Sequence, residues 1–148
     1  MQTIIRVANH KDVTALVDFN QAMAWETESK KLDNAILTQG VGALIADPNK
    51  GFYLVAEQNG QVVGSLMVTT EWSDWRNGVF WWIQSVYILP DFRRQGIYAG
   101  LYKQVKELAQ QQGDVCGFRL YVEKENQVAQ ATYSALGMHE SHYLMFEE

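Results

Sequence analysis

Two β-rich runs, Gly51 to Glu57 and Gln61 to Trp72, are joined across Asn59-Gly60. That dipeptide is the strongest short hairpin signal, because both central residues of a type I′ turn need positive φ. A polar turn from Ser73 to Gly78 follows, carrying Asp74, Trp75 and Arg76, and a third apolar run extends from Val79 to Leu89. Three strands linked by such short turns pair as an antiparallel meander, since a parallel return needs a crossover of a dozen or more residues. Everything else in the chain must pack around that meander.

The flanking segments place helices and further strands. Thr3 to Val7 alternates and predicts a first strand. From His10 to Trp25 the residues Val13, Leu16, Val17, Asn20 and Met23 or Ala24 fall near helical spacing, with Asn9 as cap, and Glu26-Thr27-Glu28 leads away. A second helix is expected from Asp33, as cap, to Ala46, stopped by Asp47-Pro48. Beyond the meander, Gln95 to Gln112 carries Ile97, Leu101, Val105 and Leu108 on one face and ends at Gly113-Asp114. Gly117 to Val122 reads as a strand, Asn126 to Leu136 as a helix, and His139 to Phe146 as a last strand. The order β-α-α-β-β-β-α-β-α-β implies an α+β fold with a mixed sheet, not a doubly wound one.

At 148 residues the chain suits one domain, residues 1–148, and can bury about two thirds of its unfolded surface. A net charge of −5 argues against nucleic acid as a partner, because phosphate backbones demand a basic face. No apolar run reaches the roughly 20 residues that span a bilayer, so no membrane role is expected. The segment MQTIIRVANHKD lacks the basic and apolar regions of a signal peptide. Cys116 is alone, which excludes an intrachain disulfide and fits a reducing compartment. The expected location is cytoplasmic.

The chemistry concentrates between Trp82 and Gly100. A strand ends at Pro90, Arg93, Arg94 and Gly96 follow, and a helix begins. The first turn of a helix has unpaired N–H groups and partial positive charge, so this construction suits an anion such as phosphate. Glycine inside a helix costs about 1 kcal/mol relative to alanine, so Gly100 marks either close approach by a ligand or tight packing on the sheet.

Two segments carry a family resemblance. Arg93-Arg94-Gln95-Gly96-Ile97-Tyr98 matches Gln/Arg-x-x-Gly-x-Gly/Ala, apart from Tyr98 at the last position. Asn126-x-x-Ala129-x-x-x-Tyr133-x-x-x-Gly137-Met138 is like N-x-x-A-x-x-x-Y-x-x-x-G-F. With these segments and this order of elements, nearly the whole chain resembles the GNAT superfamily of acyl-CoA-dependent N-acetyltransferases. The resemblance implies a mostly antiparallel sheet of six to seven strands with helices on both faces.

It also implies a site. The pantetheine arm of acetyl-CoA would lie in a splay between the fourth and fifth strands, against the backbone of Ser85, Val86, Tyr87 and Ile88. The pyrophosphate would meet N–H groups of Arg94, Gln95, Gly96, Ile97, Tyr98 and Ala99, with charge-assisted bonds from Arg93 and Arg94. The Val86 N–H would face the developing oxyanion, and Tyr133 would be the general acid for the departing sulfur. Asn126 would contact the cofactor, although Asn is also a favoured helix N-cap.

The general base has several candidates: Glu26 and Glu28 after the first helix, and Glu71 and Asp74 near the meander turn, with Gln84 able to hold a water or the amine. Glu28 and Glu71 are preferred. Carboxylates on those two segments favour a small cationic amine as acceptor, with a protein lysine or N-terminus as the alternative. Adjacent Trp81 and Trp82 must face opposite sides of their strand. No metal is expected: His139-x-x-His142 falls on opposite faces of a strand and lacks a third ligand. Readings from other classes are a non-catalytic CoA-sensing domain and a nucleotide-binding module. Exposed strand edges allow a homodimer.

Overall fold

The Asn59-Gly60 hairpin forms as its residues require, with φ of 52° and 75° in the turn. In this computed structural model, which describes residues 2–148, the turn joins β2 (Phe52–Gln58) to β3 (Gln61–Ser73), and β3 turns into β4 (Gly78–Ile88). β1 (Ile4–Val7) pairs antiparallel with β2, and β5 (Val115–Leu120) lies parallel to β4, giving the sheet order β1-β2-β3-β4-β5. The parallel pair needs a crossover, which is helix α3 (Ile97–Gln112).

Alternation along β2 divides the core. Leu54 and Ala56 face α3, packing with Leu66, Ile83, Leu101 and Val105. Tyr53 and Val55 face the other way, against Leu16 and Val17 of α1 (Val13–Glu28) and Val41 and Leu44 of α2 (Asn34–Ala46). The expected helices on both faces are therefore present. Trp81 and Trp82 divide as the pleat demands: Trp81 is buried under α3, whereas Trp82 stacks on Tyr121 with ring centroids 4.6 Å apart.

An ion cluster fixes α1 to the sheet. Both oxygens of buried Asp12 accept from the Arg6 guanidinium at 2.8 Å, and Asp12 also accepts the Asn9 N–H at 2.8 Å. Arg6 reaches on to Glu57 of β2 at 2.6 Å. Asn9 and Asp12 form a capping box around a single 3₁₀ turn, His10–Asp12, ahead of α1.

The structure differs from expectation at four places, one of them β5, which runs over Val115–Leu120 and not over the expected Gly117 to Val122. Helix α1 does not release the chain at Glu26; it continues through Glu28 and ends at Ser29, which is left-handed at φ 49°. Helix α3 starts at Ile97, because Arg94 and Gly96 adopt positive φ of 62° and 78° and cannot continue a helix backward. The last strand, His139–Phe146, does not form, and the sheet has five strands instead of six to seven. After α4 (Gln127–Ala135), residues 139–148 are exposed, and backbone with no neighbour to bond cannot be a strand. No helix of the described residues is long and apolar enough to cross a membrane.

Candidate functional site

The site begins where β4 outruns β5. Their register runs from Val79 opposite Val115 to Ile83 opposite Leu120. β4 continues to Ile88 but is paired there only on its β3 side, with Tyr87 opposite Ser65 and Ile88 opposite Gly64. The sheet forks at this point, and the backbone of Ser85 to Ile88 forms one wall of the fork. A bulge shapes that wall: Leu66 of β3 stands opposite two residues, Ser85 and Val86, and Ser85 has φ 51°. Bulges re-aim a strand's groups, so the ladder is broken at the place where an extended ligand could add hydrogen bonds.

The anion half follows directly. After a 3₁₀ turn at Pro90–Phe92, the left-handed Arg94 and Gly96 lead into α3, whose N-cap, Gly96, supplies no side-chain bond. The first-turn N–H groups of Ile97, Tyr98 and Ala99 thus have no partner within the helix. A Cβ on Gly96 would meet nothing within 4 Å, so this cradle is open on the glycine side. Alternating left-handed residues ahead of a helix form an anion-binding concavity.

The two arginines differ. Arg93 donates from Nε to the Ile88 carbonyl at 2.9 Å and from Nη2 to Glu26 at 2.9 Å, with its guanidinium 5.3 Å from the Tyr87 ring centroid. Glu26 also accepts a short hydrogen bond from the Tyr87 hydroxyl. Burial raises the Glu26 carboxyl, but Tyr87 and Arg93 outweigh it and hold it below its ordinary value. Burial and Glu26 together push the Tyr87 phenol up to about 12. Arg93 is thus a strut between the end of β4 and the end of α1, while exposed Arg94 has no hydrogen-bond or ion-pair partner among the described residues. Gln95 donates to the Asp91 carbonyl at 3.3 Å.

Tyr98 turns inward. Its ring packs against the core, stacked on Tyr102 at 6.2 Å and edge-on to Tyr133 at 5.6 Å, and its hydroxyl is buried without a hydrogen-bond partner. The backbone N–H of Tyr98 stays in the first turn of α3, so the large residue leaves the cradle unobstructed. Gly100 lies close to β1, where a Cβ would stand 3.1 Å from Ile5 Cδ1.

Tyr133 is held on α4 beside Tyr98, and burial pushes its phenol above the ordinary value. Asn126 caps α4, its Oδ1 accepting the Ala129 N–H at 3.1 Å. Among the carboxylates, Glu28 is exposed at the last turn of α1. Glu71 accepts from Trp82 Nε1 at 2.9 Å and from Arg119 at 3.0 Å. Gln84 is anchored to Thr69 Oγ1 at 2.6 Å. The residue that joins the turn to α1 is Glu26. Its partners lie 61 and 67 positions away, and no local pattern in the sequence announces such a pairing.

The acetyltransferase (GNAT) family model matches residues 7–138. The crystal structure of a possible acetyltransferase from Clostridium difficile 630 is 46% identical, with a TM-score of 0.92, covering 100% of this chain and 97% of that one. A "predicted acetyltransferase with acetyl-CoA" from Clostridium acetobutylicum has a TM-score of 0.80 at 19% identity, over 99% of this chain and 96% of that one, and shares the fold. An aminoglycoside N(6')-acetyltransferase type 1 from Acinetobacter baumannii is 33% identical over 64 residues. That match spans 43% of this chain and 43% of the relative's length.

Proposed function

The chain belongs to the acetyltransferase (GNAT) family of acyl-CoA-dependent N-acetyltransferases, and we propose that it moves the acetyl group of acetyl-CoA directly to a primary amine of a small cationic acceptor, residues 1–148 acting as one domain. The observation that carries this reading is the fork beyond Ile83 lying next to the uncapped, left-handed start of α3. A half-paired strand edge fits a pantetheine arm, and unpaired first-turn N–H groups fit a pyrophosphate. The bound cofactor supplies an activated acetyl thioester.

The chain's own residues do the rest. Ser85 to Ile88 would hold the arm through strand-edge hydrogen bonds, and the Val86 N–H would stabilise the oxygen on which negative charge develops. The N–H groups from Arg94 to Ala99 take the phosphates, with Arg94 as the available cation and Arg93 keeping the turn in place. Tyr133, its phenol raised by burial, keeps its proton at neutral pH and can give it to the departing sulfur. Glu28 has no engaged partner among the described residues and is assigned as the base that accepts the acceptor's proton. Glu71, ion-paired with Arg119 and hydrogen-bonded by Trp82, orients the acceptor instead. The aminoglycoside-acetylating relative supports a polyamine-like acceptor.

Thiol release from acetyl-CoA across a panel of amines tests the proposal. Turnover with a cationic amine is expected, and Tyr133→Phe should slow it by about 100-fold without changing acetyl-CoA affinity. Binding of acetyl-CoA with no turnover against any amine would make this a sensing domain. ATP competing better than CoA would make it a nucleotide-binding module.

A further inference from the structure

Tyr98 is the one residue of Arg93-Arg94-Gln95-Gly96-Ile97-Tyr98 that departs from the Gln/Arg-x-x-Gly-x-Gly/Ala pattern. Its ring is fixed from two sides. It stacks on Tyr102 with planes 4° apart, and Tyr102 in turn meets Phe118 of β5 edge-on at 6.1 Å. On the other side the plane of the ring lies at 63° to that of Tyr133. Tyr133 is itself held in place at the end of α4, because its carbonyl accepts the N–H groups of Leu136 at 3.1 Å and Met138 at 3.0 Å.

Ring packing accounts for the aromatic body of Tyr98 but not for its hydroxyl. The oxygen is buried and has no hydrogen-bond partner among the described residues. Phenylalanine would fill the same space without burying a polar atom, so the hydroxyl calls for a partner that forms in use. Burial, with Tyr133 and Tyr102 adding to it, pushes the Tyr98 phenol well above the ordinary tyrosine range. It therefore keeps its proton and is a donor at neutral pH, and a negative charge on Tyr133 is felt at its oxygen. The other titratable groups beside this pair are Tyr102 and Lys106, whose Nζ lies 4.8 Å from the Tyr102 ring centroid.

We infer that Tyr98 is a positioning residue for Tyr133: its hydroxyl turns to donate a hydrogen bond to the Tyr133 oxygen as that oxygen loses its proton. The inference rests on the role proposed for Tyr133 as the acid of the transfer. Tyr133 gives its proton to the departing sulfur and keeps the O–H electron pair as a phenolate. The acceptor's proton goes to Glu28, and exchange with water returns both residues to their starting forms. A phenolate formed at a buried site is costly unless a donor meets it. The Tyr98 hydroxyl is already desolvated and its ring already fixed, so only the hydrogen has to rotate about the C–O bond. A donor set in place before charge develops stabilises that charge with little reorganisation.

Tyr98→Phe and Tyr133→Phe, made singly and together, test this by thiol release. Tyr98→Phe should lower kcat about 10-fold and leave acetyl-CoA affinity unchanged, because the backbone N–H of the turn remains. In the Tyr133→Phe background the same change should have no further effect, since the phenol through which Tyr98 acts is gone. Equal slowing in both backgrounds, or none in either, would overturn the inference and leave Tyr133 as the acid. If Tyr133→Phe alone does not slow release, the acid assignment fails and the inference fails with it. A second measurement needs no turnover: nuclear magnetic resonance of isotope-labelled tyrosine rings in the free chain, with Tyr133→Phe identifying the Tyr133 signal. Tyr98→Phe should move the Tyr133 titration to higher pH, because its phenolate loses a donor. A titration that stays in place or moves down would refute the contact. The thermal midpoint of Tyr98→Phe should rise by about 2–4 °C, as removal of an unpaired buried hydroxyl requires. A fall would show that the hydroxyl is already engaged elsewhere, which also defeats the inference.

Discussion

Arg6→Met should separate the pH dependence of this protein's stability from its overall magnitude. Asp12 has a side chain only 5% exposed, while those of Arg6 and Glu57 are 31% and 22% exposed. Removing the guanidinium leaves the Asp12 carboxylate buried with only the Asn9 N–H as donor among its present partners. Breaking a fully buried pair costs about 3–5 kcal/mol, and the partial exposure of Arg6 places the loss lower, at about 2–3 kcal/mol. In the wild type the Arg6 fork lowers the Asp12 carboxyl, overcoming burial, which raises it. A carboxyl depressed in the folded state contributes stability above its unfolded value of about 3.9, and that stability is lost as pH falls through the folded value.

The variant reverses the sign. With Arg6 gone, burial dominates and the Asp12 carboxyl rises above its unfolded value, so protonation favours the folded variant. The stability gap between the two proteins should therefore be widest near neutral pH and should narrow as pH drops through the variant's raised value. Urea unfolding at a series of pH values, read with a constant slope in denaturant, measures this gap. A gap that stays the same from neutral to acidic pH would show that Asp12 does not depend on Arg6, and the reasoning would fail. Replacing Asp12 by Asn as well should recover part of the loss.

The two arginines of the turn should respond differently to removal. Arg94→Ala should weaken acetyl-CoA binding several-fold, with the effect shrinking as salt is added, since its charge is exposed and available. Arg93→Ala should lower the thermal midpoint more than it lowers affinity, because it removes the strut to Glu26 and Ile88. Calorimetric binding and thermal unfolding of both variants make the comparison. Glu26→Gln should lower the Tyr87 phenol from about 12 toward its ordinary value, seen in the tyrosinate absorbance on alkaline titration.

The Asn59-Gly60 turn, the periodicity of α3 and the caps at Asp33 and Asn126 were all readable, because each is a local consequence of side-chain chemistry on a few residues. The same holds for the strand–turn–helix from Trp82 to Gly100 and for the opposed Trp81 and Trp82. The strand predicted at His139–Phe146 shows the limit of such reading. Its composition suits a strand, but a strand exists only where another backbone exchanges hydrogen bonds with it, and among the described residues this segment pairs with no strand of the sheet.

The site divides along the same line. The turn proposed to take phosphate and the place of Tyr133 on α4 follow from sequence order, since the helix start and the motif lie within short stretches. Only the tertiary structure decided that the sheet forks after Ile83, that the Tyr98 ring faces inward, and that Arg93 is bound to Glu26. Each of these depends on groups brought together from distant parts of the chain, where packing and pairing geometry, and not local preference, select the partner. The sequence by itself determined which chemistry was available; the sheet's register and the seat of α1 decided which groups were left to perform it.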